Sequence, residues 1–191
     1  MTSQIVFLLE ERSMAALLNG LLPRVFPGIS FRCVPHEGKQ DLERSIPRKL
    51  KAWRVPGVRF VVVRDKDAGE CQVLKDRLQR LCAAAGREDT LVRIACQELE
   101  AWYLGEPDAL ADVFANDRLR AIGRKARFRD PDAVEQPARA LQRLVPEFQK
   151  VSGARRMAKH LTREANRSRS FQVMLRGIEK LVADTGPGHE A

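Results

Sequence analysis

The chain has 191 residues, of which 44% are hydrophobic and 31% charged, and its formal net charge is +9 at pH 7. These proportions describe a globular domain long enough to bury a core, and they exclude a disordered or fibrous chain. No apolar run reaches membrane-spanning length and no basic stretch precedes an apolar signal segment, so the expected location is the cytoplasm.

Ile5 to Leu9 reads as a buried strand, and Ser13 to Phe26 has helical spacing through Met14, Leu17, Leu18, Leu21, Leu22 and Val25 before Pro27-Gly28 stops it. Ile29 to Val34 alternates as a second strand, and Gln40 to Trp53 reads as a second helix that Pro47 is expected to kink or split. Val58 to Arg64 is the third strand, Cys71 to Ala85 the third helix, and Thr90 to Ala95 the fourth strand. This alternation predicts an α/β fold with a mainly parallel sheet and helices on its faces.

After the fourth strand the pattern changes. Gln97 to Phe114 reads as helix interrupted at Gly105-Glu106-Pro107, and no strand-like run follows Asn116. Pro131, Pro137 and Pro146 divide the remainder into short helices, with a longer one from about Ser170 to Ala183. The expected organisation is an α/β core over 1–117, a basic helical appendage over 118–184 packed on it, and a disordered tail over 185–191.

Cys33, Cys71, Cys82 and Cys96 show no Cys-x-x-Cys spacing, and His36, His160 and His189 complete no metal-ligand pattern with them. Reduced, mostly buried thiols are expected. Lys/Arg and Asp/Glu balance at 17 each over 1–117, whereas 118–191 holds 17 against 8. A basic zone of that kind suits phosphate backbones, and it equally describes a solvated helix surface.

The acids are placed more tellingly than the bases. The run Val61-Val62-Val63-Arg64 ends in Asp65-Lys66-Asp67, and side chains two residues apart on an extended chain share a face. At the carboxyl edge of a parallel sheet, two hard carboxylates suit Mg²⁺ or Mn²⁺, although Asp67 would also serve as a helix cap. The first strand likewise ends in Glu10-Glu11, and the fourth runs into Glu98-Leu99-Glu100-Ala101-Trp102. Parallel strands would bring all three acidic clusters to one edge, as metal-assisted phosphoryl transfer requires.

Glu10 after the first strand and Asp65-x-Asp67 after the third resemble the Toprim pattern of topoisomerases, bacterial primases and overcoming-lysogenization-defect nucleases. More closely, Glu10, Gly38-Lys39-Gln40-Asp41-Leu42, Asp65-x-Asp67, Glu98-Leu99-Glu100-Ala101-Trp102 and Asn166-x-Ser168-x-Ser170-Phe171 resemble the Toprim-like bacterial family called domain of unknown function 4276. Where Toprim strands commonly carry Gly and a further acid, this chain has Glu11 and Met14.

The resemblance and the spacing together imply a magnesium-dependent nuclease. Asp65 and Asp67 would hold Mg²⁺ or Mn²⁺, Glu98 or Glu100 would complete the shell, and Glu10 would be a further ligand or the general acid/base. Lys39, Arg155, Arg156, Lys159, Arg167 and Ser168 are the expected nucleic-acid contacts, with capping of the last helix an equal role for Ser168. Trp102 fits a core position better than base stacking. The resemblance implies an external ATPase partner, because the chain lacks a Gly-x-x-x-x-Gly-Lys-Ser/Thr loop. The alternative is a noncatalytic nucleic-acid-binding adaptor on the same scaffold.

Overall fold

A computed structural model of the protein describes residues 4–66 and 69–184. The strands are β1 (Ile5–Leu9), β2 (Phe31–Pro35), β3 (Arg59–Asp65) and β4 (Leu91–Ala95), and they form one parallel sheet in the order β2-β1-β3-β4. Between them run α1 (Arg12–Val25), α2 (Lys39–Ala52) and α3 (Cys71–Ala83). The chain therefore steps from β1 outward to β2, then crosses back over β1 to β3 and on to β4. Right-handed crossovers in opposite directions leave their helices on opposite faces.

Burial follows that geometry. Leu17, Leu18, Leu21 and Leu22 of α1 share a cluster with Phe7, Leu9, Val61 and Val63, whereas Leu42, Ile46, Leu50 and Leu78 of α2 and α3 cluster with Val6, Leu8, Phe60 and Val62. Covering both faces is what lets β1 and the centre of β3 be apolar at every position. The sheet reverses its direction of growth between β1 and β3. Open α/β sheets hold ligands at the carboxyl ends flanking that reversal, here Glu10 and Asp65.

Two sequence expectations need correction. Pro47 neither splits nor ends α2, which is continuous through it. Burial of Leu42, Ile46 and Leu50 offsets the missing backbone donor. β3 ends one residue later than the expected Val58–Arg64 strand, because Asp65 is still paired with Ala95 of β4.

Beyond β4 come α4 (Glu100–Leu104), α5 (Pro107–Phe114), three 3-10 turns at Asp117–Arg124, Ala126–Phe128 and Pro131–Ala133, then α6 (Pro137–Leu144), α7 (Lys150–Met157) and α8 (Arg169–Ala183). Pro107 and Pro137 sit in the first turns of α5 and α6, where a helix has no use for the missing N–H. α7 packs on α1 and α8 packs on β4. The close approach to α1 depends on Gly20, since a Cβ there would lie 2.7 Å from that of Ala158. One apolar cluster runs from the α1 side of the sheet through Trp102, Tyr103, Phe148, Met157 and Phe171. The late helices thus share the core of the sheet. Among the described residues no helix is long and apolar enough to cross a membrane. The tail expected to be disordered lies outside the described residues.

Candidate functional site

β1, β3 and β4 deliver Glu10, Asp65 and the segment bearing Glu98 and Glu100 to one edge of the sheet. Glu10 is buried, and its Oε2 accepts the backbone N–H of Asp65 at 3.2 Å, tying β1 to β3 at the reversal point. Arg64 Nε stands 3.6 Å from the same oxygen. The Arg64 guanidinium is itself buried and also pairs with Glu43 of α2, to which Arg77 of α3 binds from outside. Residue parity explains this, because Arg64 faces α2 and α3 whereas Asp65 faces the α1 side.

Asp65 receives a backbone hydrogen bond from Leu99 and is enclosed by protein around its carboxyl group. Burial pushes its pKa well above the ordinary range, and the negative charges of Glu10, Glu100 and Glu11 push it further. Glu100, 1% exposed at the start of α4, is raised by burial to about 7, with Lys150 opposing and Glu98 and Glu11 adding to the rise. Lys150, the first residue of α7, donates from Nζ to both carboxylate oxygens of Glu11 at 3.2 and 3.3 Å. Burial opposes its charge, yet Glu100 and Glu11 hold its pKa above the usual lysine value.

Glu98 is turned elsewhere. Its Oε2 accepts the N–H of Ala138 at 2.8 Å, capping the first turn of α6. Gln97, just before it, has φ 65°, a left-handed conformation unusual for a residue with a side chain. That turn swings the chain from β4 into α4 and separates the directions of Glu98 and Glu100.

The donor chemistry suits a hard divalent cation: carboxylate oxygens of Asp65 and Glu100, both with pKa values raised by burial and by neighbouring acids, with Glu10 and Glu11 beside Asp65. The arrangement does not supply a finished shell. Among the described residues no three His, Cys, Asp or Glu side chains converge on one ion position, and Asp67 lies outside the described residues. Glu10 is engaged by Arg64 and the Asp65 N–H, and Glu11 by Lys150 and the Ser13 hydroxyl at 3.1 Å.

His36 also belongs to this edge, since it directly follows β2, although the sequence does not show its ring turned toward Leu9. Its N–H and ring Nδ1 both meet the Leu9 carbonyl, at 2.9 and 2.8 Å, which places it beside Glu10. A carbonyl only accepts, so Nδ1 carries the proton and Nε2 of the neutral ring is left as an acceptor. That buried Nε2 has no hydrogen-bond partner among the described residues. The ring lines a crevice with Glu11, Ser13 and Lys150.

Of the expected nucleic-acid contacts, Ser168 is built into the interior instead. Ser168 is fully buried: its hydroxyl caps α8 by accepting from Phe171 N at 3.2 Å and donates to Asp132 at 2.7 Å. It has no surface left for a phosphate. Trp102 is equally buried, donating from Nε1 to Ser170 Oγ at 2.8 Å and meeting Phe171 edge-on at 5.4 Å. Asn166 completes the join by donating to the Trp102 carbonyl at 2.8 Å. The Glu-x-Glu-Ala-Trp and Asn-x-Ser-x-Ser-Phe stretches are therefore two halves of one buried joint.

Arg156 donates to the Val113 carbonyl and lies 4.6 Å from the Phe114 ring centre, and Arg167 reaches the carbonyls of Gly123, Phe128 and Arg129 at 3.4 Å. All these basic side chains are exposed, and Arg155 of α7 together with Lys159, just beyond its end, lines a groove against α1 with Arg12 and Asn19. This groove shares Arg12 and Val151 with the crevice that holds Glu11 and Lys150, so the two are contiguous. Lys39 is exposed at the first residue of α2.

A family described as Domain of unknown function (DUF4276) matches residues 9–179. Among solved structures, the C-terminal region of the Burkholderia pseudomallei OLD protein superposes with a TM-score of 0.56 at 17% identity, covering 97% of this chain and 100% of that one. The C-terminal region of the Xanthomonas campestris pv. campestris OLD protein gives 0.49 at 15% identity, covering 96% and 97%. No curated protein sequence matches the chain. The Burkholderia likeness is one of fold: an α/β parallel sheet with flanking helices and helices at its carboxyl-terminal end.

Proposed function

We infer that this chain, which belongs to the DUF4276 family, is a Toprim-like phosphodiesterase that hydrolyses nucleic acid with Mg²⁺ or Mn²⁺. The observation that carries this reading is the buried Asp65 carboxyl at the sheet's reversal point, facing Glu10, Glu11 and Glu100 with its pKa driven far up. Concentrated like charge of that kind is costly unless a cation is brought to it, and such sites are where perturbed acids gather for chemistry.

Asp65 is the anchoring ligand in this reading, joined by Asp67 and by Glu10, with Glu100 completing the shell and Glu98 left to cap α6. A bound divalent ion supplies an acidified water and a counter-charge for the phosphate in the transition state. Around it, Arg64 holds Glu10 in place, and Lys150, paired with Glu11, would offer positive charge to a phosphate. Glu10, where it is not a ligand, would take the proton from the attacking water. The groove of Arg12, Arg155 and Lys159 guides the phosphate backbone toward Lys150. Lys39 offers a further phosphate contact at the start of α2.

The Burkholderia neighbour is the C-terminal region of an OLD protein. An ATPase acting beside this chain, in phage defence or DNA repair, fits that relation.

One observation favours the adaptor as second reading: Arg64 and Lys150 already neutralise the acids, and no three ligands converge among the described residues. Titration with Mn²⁺ followed by melting temperature, beside cleavage of single- and double-stranded DNA and RNA, separates the two. A metal-dependent melting shift and cleavage, both lost in Asp65→Asn, support the nuclease. Nucleic-acid binding with neither response supports the adaptor.

A further inference from the structure

The thiols of Cys71 and Cys96 lie 3.8 Å apart, and both are free. Among the described residues no other two sulfurs are in contact. Cys71 opens α3 and Cys96 directly follows β4. β3 and β4 are parallel neighbours with Asp65 opposite Ala95, and Lys66 donates its N–H to the Ala95 carbonyl at 2.9 Å. The sulfurs therefore meet across the two segments that leave the acid edge. Both residues are half-buried, so a small oxidant can reach them. A disulfide needs about 2.05 Å between sulfurs, an approach of roughly 2 Å that side-chain rotation can supply.

We propose that Cys71 and Cys96 form a reversible, peroxide-driven disulfide that clamps the start of α3, downstream of Asp65, to the segment bearing Glu98 and Glu100. The bond itself rests on the thiol geometry alone, whereas its effect on metal binding rests on the reading under Proposed function. The Cys71 thiolate attacks hydrogen peroxide, forming an S–O bond as the O–O bond breaks, and the departing hydroxide takes up a proton as water. The Cys96 sulfur, giving up its proton, then attacks the sulfenic sulfur; the S–S bond forms, the S–O bond breaks, and a second water leaves. Two thiols and one peroxide become one disulfide and two waters.

The order of attack follows from position. Cys71 is half-buried at the amino end of a 13-residue helix. Cys96, half-buried just after β4 with its sulfur 3.8 Å from that of Cys71, serves as the resolving thiol. Thiols in a reducing compartment that pair this way are transient and redox-sensing rather than structural.

The test treats the full chain with stoichiometric hydrogen peroxide, blocks remaining thiols by alkylation, and maps peptides without reduction. The expected product has lost two hydrogens, carries a Cys71–Cys96 cross-link, and reverts with dithiothreitol. Cys33→Ser/Cys82→Ser should cross-link normally, whereas Cys71→Ser and Cys96→Ser should not. Alkylation of both Cys71 and Cys96 after oxidation, or a bridge through Cys33 or Cys82, would overturn the pair. A second arm compares Mn²⁺-induced melting shifts of the reduced and cross-linked forms, expecting at least a several-fold change in apparent affinity. Equal affinity overturns the clamp while leaving the bond. If the reduced form ignores Mn²⁺ although the bond forms, the metal reading fails and the clamp with it, but the disulfide stands.

Discussion

At the carboxyl edge of β1, β3 and β4, acids are crowded into protein, with Arg64 and Lys150 as their close counter-charges. Beyond residue 117 the arrangement is inverted, since Lys and Arg outnumber acids there by nine, yet many of these bases are anchored. Arg120 is ringed by Asp108, Asp112 and Asp117, Arg163 is paired with Glu179, and Arg156 and Arg167 are spent on backbone carbonyls. A formal excess of positive charge is thus a weaker guide to function than one buried carboxyl. Exposed ion pairs contribute little either way, because water screens them, whereas a desolvated acid carries a cost that demands a reason.

The largest expected effect comes from removing the acid that defines the first region. Asp65→Asn should lower metal-dependent cleavage by about three orders of magnitude, the loss expected when several kcal/mol of metal-derived stabilisation goes. The metal-free protein should be as stable as wild type or more so, because a repelled, desolvated charge has been deleted. Steady-state cleavage and melts in chelator check both halves.

Trp102→Ala should destabilise the chain by about 3–5 kcal/mol in denaturant unfolding, since it empties the joint between α4 and α8. Trp102→Phe should recover most of the packing and lose only the bond to Ser170, about 1–3 kcal/mol. Neither should alter the salt dependence of nucleic-acid binding. A change in that slope would move Trp102 into the binding surface.

Acid-base linkage sharpens the first region further. Glu100 has its pKa raised from 4.5 to about 7, so between those values the unfolded chain gives up a proton that the folded chain keeps. Stability attributable to this group is complete below about pH 4.5 and is lost as pH rises through about 7, a change of order 3 kcal/mol. Denaturant unfolding in chelator across this window should show wild type falling relative to Glu100→Gln, and Mn²⁺ should restore the lost stability at pH 8. Parallel curves would mean that Glu100 titrates normally.

A smaller effect is expected in the second region. Arg155→Ala/Lys159→Ala should make the plot of log K against log salt shallower by about 1.4–1.8, at about 0.7–0.9 for each phosphate that is no longer neutralised. Arg156→Ala should leave the slope nearly unchanged and cost stability instead, because its guanidinium is committed to Val113 and Phe114. Unchanged binding in the double variant would return the α1–α7 groove to plain solvated surface. Smallest of all, Glu98→Ala should cost about 1 kcal/mol by uncapping α6.

How far the sequence could be read depended on the range of the interaction. Val61-Val62-Val63 announced a strand buried on both faces, and the acids after β1, β3 and β4 followed from parallel alternation. Pro47 misled because a propensity penalty is local and the burial that offsets it is not. Ser168, whose capping role was legible beside the phosphate reading, and Arg156 show a related limit: a hydroxyl or guanidinium looks the same in sequence whether it meets a phosphate or a partner within the chain. The partners in question, Asp132 and Val113, lie 36 and 43 residues away.

The sequence by itself determined the α/β class, the order of the elements and the placement of acids at strand ends, since these depend on hydrophobic period and strand direction. Only the tertiary structure decided which charges are paired and which are crowded. Lys150 stands 139 residues from Glu11 and reaches it because α7 packs on α1, while Arg64 and Asp65 are adjacent yet serve opposite faces of the sheet. Desolvation and Coulomb energy depend on distance in space, and that is fixed only when the helices close over the sheet.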